Sequence, residues 1–195
     1  MGEVITLKPP QVERLHVEVV GTSPLICHRW SDAMRAQVRD KQTKAATKGR
    51  VAKDPEQDYQ ESLYRMDDGG YGFPAVAFKA AAVRAGTYAD MRMTFLRGAF
   101  HVPGELVPIE GAPSMREDMV RLQGSTADIR YRGQFVQWRA AVPVLLNLAA
   151  LSIEQLANLF VIAGFAVGVG DWRPERNGQY GRFEIGGIQA MRRAS

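Results

Sequence analysis

Hydrophobic and polar positions alternate first at Leu15–Val20, where Leu15, Val17 and Val19 fall on one side and His16 and Glu18 on the other, a period of two that predicts a half-buried strand. Gly21-Thr-Ser-Pro24 breaks the alternation, and Ser31 can cap a polar helix over residues 31–42 whose only apolar spacing is Met34 to Val38. From Thr43 to Asp58 the chain has little to bury, which predicts a mobile loop. A short strand is expected at Ser62–Arg65. After the turn Asp67–Gly70 comes an almost wholly apolar helix, with Pro74 in its first turn and Gly86 at its exit. Residues Met91–Ile109 read as extended, followed by strands near Val120–Leu122 and Asp128–Arg132, and Phe135–Asn147 reads as one long central strand. The clearest helix follows: Ser152 with Gln155 forms a capping box, Ile153, Leu156, Leu159, Phe160 and Ala163 repeat at helical spacing, and Gly164 ends it. A last strand is expected at Arg182–Ile185. Two halves each reading strand, helix, strand predict an α+β fold of the ferredoxin-like, RNA-recognition-motif-like βαββαβ kind, with an inserted basic loop and additional strands.

Composition narrows the class. At 195 residues and 46% hydrophobic the chain can bury one substantial core, so one domain is expected over 1–195, with a basic insertion at about 42–58. Cys27 is the single cysteine, which excludes an internal disulfide and any Cys-x-x-Cys site. No leader pattern or apolar run of membrane-spanning length is present, so a cytoplasmic protein without membrane contacts is expected. The formal charge is only +4, but between Arg29 and Lys53 eight basic residues (Arg29, Arg35, Arg39, Lys41, Lys44, Lys48, Arg50, Lys53) face two acidic ones, Asp32 and Asp40. Such a stretch is either a solvated helix face running into a loop or a basic finger that a ligand orders.

The most distinctive segment runs from Gly164 to Ile185. Glycines at 164, 168, 170, 178 and 181 punctuate a linker that also carries Trp172, Arg173, Arg176, Tyr180 and Arg182. Glycine lets backbone N–H groups approach phosphates, arginines supply charge and aromatics supply stacking surface; alternatively the run is a tight turn packed by Trp172. It is not a dinucleotide fingerprint, because it follows a helix and opens a strand. Arg130 and Arg132, with Trp138 and Arg139 nearby, share a strand face and read either as a binding surface or as edge charges that deter aggregation. Catalytic signals are thin: His16, His28 and His101 have no metal-site spacing, Cys27 reads as core, and the acidic pairs Asp67-Asp68 and Glu117-Asp118, each next to an expected turn, read as solvated, with a carboxylate pair holding Mg²⁺ for phosphodiester cleavage as the alternative. No catalytic residue, metal or cofactor is assigned.

Three segments, in order, resemble the RAMP superfamily, the RNA-recognition-motif-like backbone subunits of CRISPR effector complexes. Gly21-Thr-Ser-Pro-Leu25 resembles the "G-x-S-P-L" after the first strand. Gly72-Phe-Pro-Ala-Val-Ala-Phe-Lys79 is similar to the "I-P-G-S-S-L-K-G" that opens a helix. The helix Leu151–Phe165 running into the glycine-rich loop resembles the C-terminal signature. Ala75 and Ala80 stand where glycines are common, and Trp172-Arg-Pro174 is an unusual insertion, which fits a stand-alone bacterial or phage relative equally well. The resemblance implies a protomer that stacks head to tail into a filament or ring along single-stranded RNA or DNA. The basic segment Lys41–Lys53 would act as a thumb, Lys79 would lie near phosphates, and the loop around Arg173 would complete the groove. The expected interface residues are therefore Arg29, Lys41, Lys44, Lys48, Arg50, Lys53, Lys79, Arg130, Arg132, Trp172, Arg173, Arg176 and Arg182. Family members that cut RNA use a thumb-loop aspartate, for which Asp54 and Asp58 are the available acids. Non-catalytic strand binding is the leading expectation. A metal-dependent ribonuclease on the same fold and a phage or bacterial assembly protein that oligomerises without nucleic acid are the alternatives.

Overall fold

A computed structural model of the chain describes residues 9–30, 32–43, 53–121 and 127–190. In chain order the elements are β1 (Val12–Gly21), β2 (Leu25–Ile26), α1 (Asp32–Gln42), α2 (Pro55–Ser62), β3 (Tyr64–Arg65), β4 (Tyr71–Pro74), α3 (Ala75–Ala85), α4 (Met93–Ala99), β5 (Phe100–His101), β6 (Leu106–Pro108), β7 (Pro113–Arg121), β8 (Ala127–Phe135), β9 (Arg139–Asn147), α5 (Ile153–Ile162) and β10 (Phe183–Ala190). The class is α+β.

The main sheet is antiparallel throughout, in the order β10-β1-β9-β5. Leu15, Val17 and Val19 of β1 and Val142, Val144 and Leu146 of β9 bury their side chains on its inner face, as period-two alternation requires. Helices α3 and α5 pack against each other and join the same core, where Phe78 meets Phe183 with ring centroids 6.5 Å apart. Two three-stranded sheets, β2-β8-β7 and β3-β4-β6, are the other sheets of the described residues.

Several elements depart from the sequence reading. The segment expected to be a loop as far as Asp58 already turns helical at Pro55 and α2 continues to Ser62, so the strand expected over Ser62–Arg65 forms only at Tyr64–Arg65. The Asp54 carboxylate accepts from the N–H groups of Glu56 (3.0 Å) and Gln57 (3.1 Å), and Pro55 sits in the first turn, so a strong helix start lay inside a stretch judged by its poverty of apolar residues. Ser31 and residues 44–52 of the expected loop lie outside the described residues. Residues 91–109 are not uniformly extended: α4 interrupts them, with only Leu96 and Ala99 buried along it. Strand β7 begins at Pro113, well before Val120, and Leu122 lies outside the described residues.

Of the long strand expected over 135–147, Arg139–Asn147 forms one inner strand of the main sheet, while Phe135 ends a strand of another sheet and 136–138 form the corner between them. β8 ends at Phe135 and β9 starts at Arg139, with the corner held by buried Trp138, whose indole N–H donates to the Ser23 carbonyl at 2.9 Å. Alternation continues through the corner because both strands bury one face.

The capping box on α5 is formed: the Gln155 N–H donates to Ser152 Oγ (3.2 Å), and the Ser152 N–H donates to Gln155 Oε1 (3.0 Å). Ser152→Ala is expected to cost about 1 kcal/mol, read as a lower urea midpoint at unchanged slope; an unchanged midpoint would show that burial of Leu156, Leu159 and Phe160 holds the helix without its cap. Gly164 does not end the helix. A π-helical turn over Ala163–Val167 carries it to Gly168, whose φ is 70°. Gly164 instead lies flat against β10, where a Cβ would come within 1.9 Å of the Phe183 carbonyl oxygen.

Candidate nucleic-acid interface

The segment from Gly168 to Arg182 leaves the π-helical turn, folds back on itself and enters β10. Its neck is pinned by Val169 N–H to Gly181 O (2.9 Å), Gly181 N–H to Pro24 O (2.8 Å) and Asp171 N–H to Ile26 O (3.1 Å). Above the neck, Tyr180 N–H to Trp172 O (3.0 Å) and Gly178 N–H to Arg173 O (3.1 Å) close a compact lobe containing a 3₁₀ turn at Pro174–Arg176. The glycine-rich stretch is thus both a tight turn and a device that projects a lobe carrying arginines and aromatics.

Two grooves flank the lobe. One, of about 680 Å³, runs between α3 and the lobe over an apolar floor that includes Val76, Val83 and Met93; Lys79, Arg84, Arg97, Arg173 and Arg176 border it, with Glu175 as the one bordering carboxylate among the described residues. Glu175 accepts from Arg84 Nε and from Arg173, each at 3.0 Å. Lys79 Nζ donates to the Arg97 carbonyl (3.1 Å) and lies 3.0 Å from His101 Nδ1. Arg97 and Arg176 are exposed. The other groove, of about 740 Å³, is lined by Trp172, Tyr180, Arg176, Arg182, Ser23 and Pro24 among others, and no carboxylate of the described residues borders it. A cationic wall beside aromatic rings is the combination that tracks phosphates and stacks bases.

Beneath the lobe lies a chain of charges with a buried Arg132–Asp118 pair at its centre. β7 and β8 pair with Arg116 opposite Arg132 and Asp118 opposite Arg130. Arg132 is 2% exposed and Asp118 5%. Arg132 donates from Nη2 to Asp118 (2.7 Å) and from Nη1 to Asp171, while Arg116 donates from Nε to Asp118 (2.7 Å) and from Nη2 to the Tyr180 hydroxyl (3.1 Å). His28 Nδ1 closes the chain on Asp171 at 3.0 Å. The two guanidiniums also lie against the aromatic rings of the lobe, Arg132 4.7 Å from the Trp172 centroid and Arg116 4.7 Å from that of Tyr180. Partial burial raises the Asp171 pKa, but the His28 hydrogen bond and then the charges of His28 and Arg132 outweigh it, so the carboxyl lies below its ordinary value. Asp171 therefore stabilises the fold above its unfolded-state pKa, and that contribution is lost as the pH falls through the lower folded value.

The structure brings Lys79, Trp172, Arg173, Arg176 and Arg182 together around the lobe. Arg132 is not on a solvent-facing strand surface: it is interior and ion-paired, and the reading of Glu117-Asp118 as solvated fails for Asp118, which sits mid-strand in the same network. Arg130 is half-buried on β8. Lys53 reaches the Asp128 carboxylate (2.6 Å) and the Ile129 carbonyl, and Arg29 lies beside the end of α2, with its N–H bonded to the Ser62 carbonyl (3.0 Å). Lys41 falls in α1, whereas Lys44, Lys48 and Arg50 lie outside the described residues. Asp54 is engaged as the α2 cap, and partial burial raises the pKa of Asp58. Burial, with the Asp171 charge adding to it, pushes the Cys27 thiol up to about 12, which keeps it protonated in the core. Among the described residues, no three of His, Cys, Asp and Glu converge as a metal site, and no helix is long and apolar enough to cross a membrane.

No protein-family model matches this chain, and no curated protein matches it.

Proposed function

We propose that this protein binds single-stranded nucleic acid, RNA or DNA, along the two grooves that flank the Gly168–Arg182 lobe, without cutting it. The reading is carried by the pairing of a groove bordered by five cations with an aromatic groove that no described carboxylate borders, the two sharing Arg176 of one loop. A strand crossing the lobe would set its phosphates along Lys79, Arg97 and Arg176 and offer bases to Trp172 and Tyr180. The frame is read as a ferredoxin-like βαββαβ unit. Numbered among themselves in chain order, the four strands of the main sheet run 4-1-3-2, with α3 between the first and second and α5 between the third and fourth, which supports that reading. The RAMP resemblance adds head-to-tail self-association along the strand as part of the same proposal.

The double variant Lys79→Glu, Arg176→Glu tests it. Both side chains line the first groove, so reversal should weaken binding to a labelled single strand at least tenfold near 0.1 M salt. It should also flatten the dependence of log K on log salt by roughly 0.7 for each phosphate that is no longer neutralised. A double variant that binds with the parent's affinity and salt slope would remove the groove from the account.

A further inference from the structure

Trp172 adopts φ 51°, a left-handed backbone that a bulky residue rarely takes up and that costs about 1–2 kcal/mol. The surroundings hold it there. Its carbonyl is bonded by Tyr180 N–H, its neighbour Asp171 is tied to His28 and Arg132, and the Arg132 guanidinium lies on the ring from the buried side. Arg132 in turn is fixed by Asp118, which also holds Arg116 against Tyr180. The buried Arg132–Asp118 pair at the centre of this network is costly to build, and Trp172 is nevertheless 36% exposed, bordering the groove that Arg176 and Arg182 line and that no carboxylate of the described residues enters.

Resting on the strand-binding reading, we propose that Trp172 is a fixed stacking platform for one unpaired nucleobase, with Tyr180 at its edge and Arg176 and Arg182 receiving the adjoining phosphate. Arg132, Arg116, Asp118, Asp171 and His28 are positioning residues: they set the ring's orientation from behind and do not touch the strand. The two rings are 6.1 Å apart between centroids and inclined by 39°, so they form an angled shelf that meets one base plane, not a slot that clamps two. The site's selectivity is accordingly for the presence of a base over its identity, since every base has a π-face whereas hydrogen-bond readout needs dedicated partners.

Trp172→Gly suits the left-handed backbone and removes the ring without strain, and Trp172→Tyr retains a stacking surface. Each is titrated, with the parent, against a labelled oligoadenylate and against a strand of equal length in which abasic sites replace the bases. The expected result is a roughly tenfold loss for Trp172→Gly on the base-bearing strand, less than twofold on the abasic strand, and near-parental binding by Trp172→Tyr. Equal losses on both strands, or none on either while the parent binds, would overturn the platform and leave strand binding standing. A parent that binds neither strand would overturn strand binding itself and the platform with it.

Discussion

Asp118→Ala should melt well below the parent. The carboxylate is 5% exposed and accepts 2.7 Å hydrogen bonds from both Arg132 and Arg116. Removing it leaves two guanidiniums facing each other across the β7–β8 ladder, with Asp171 as the remaining counter-charge to Arg132. Breaking a buried pair from one side costs about 3–5 kcal/mol. Because Asp171 still holds one guanidinium, the expected value is near about 3 kcal/mol, or a fall in Tm of roughly 6–12 °C. The same reasoning predicts that Asp118→Ala combined with Arg132→Met is less destabilising than Asp118→Ala alone, because the methionine removes the more deeply buried of the two stranded guanidiniums and leaves only Arg116, which reaches solvent. Calorimetry on the three proteins checks both statements. An Asp118→Ala variant within about 1 °C of the parent, against the several degrees expected, would mean that the network stabilises nothing.

Gly181→Ala is the second large effect, and Gly69→Ala is its internal control. Both glycines have positive φ, 65° and 84°. At Gly69 a Cβ would meet nothing within 4 Å, so only the left-handed backbone strain of about 1–2 kcal/mol applies. At Gly181 a Cβ would stand 1.6 Å from the Val169 carbonyl oxygen, inside the neck of the lobe, where backbone cannot yield without breaking the bonds to Pro24 and Val169. The expected cost is above about 3 kcal/mol, because a clash is added to the strain. Single-strand affinity should fall with it as the lobe shifts. Equal urea midpoints for the two variants would show that the neck is not a tight closure.

How much of this was legible beforehand follows from which signals are local. β1, α3 and α5 announce themselves through two-residue alternation, an apolar run and a capping box, each contained within about one element. The start of α2 was equally local, in Asp54-Pro55, but a composition argument over the whole segment hid it. α4 has no capping side chain and buries only Leu96 and Ala99, too little for a helical period to show. The lobe was legible because glycine, arginine and tryptophan cluster in sequence. The network beneath it was not, since Arg132 lies 39 residues from Asp171 and His28 lies 143 from it. A charge alternating along a strand looks the same whether its face meets water or a folded-back loop, and only tertiary pairing decides between the two.

The central claim is most directly tested by titrating the unmodified protein with a labelled single strand and with the matching duplex across a range of salt concentrations. Strand binding at the lobe predicts tight binding to the single strand at low salt, a negative slope of log K against log salt of roughly 2 for about three neutralised phosphates, and markedly weaker binding of the duplex, whose stacked bases cannot reach Trp172. Absent binding, salt-independent binding, or equal affinity for strand and duplex would contradict it.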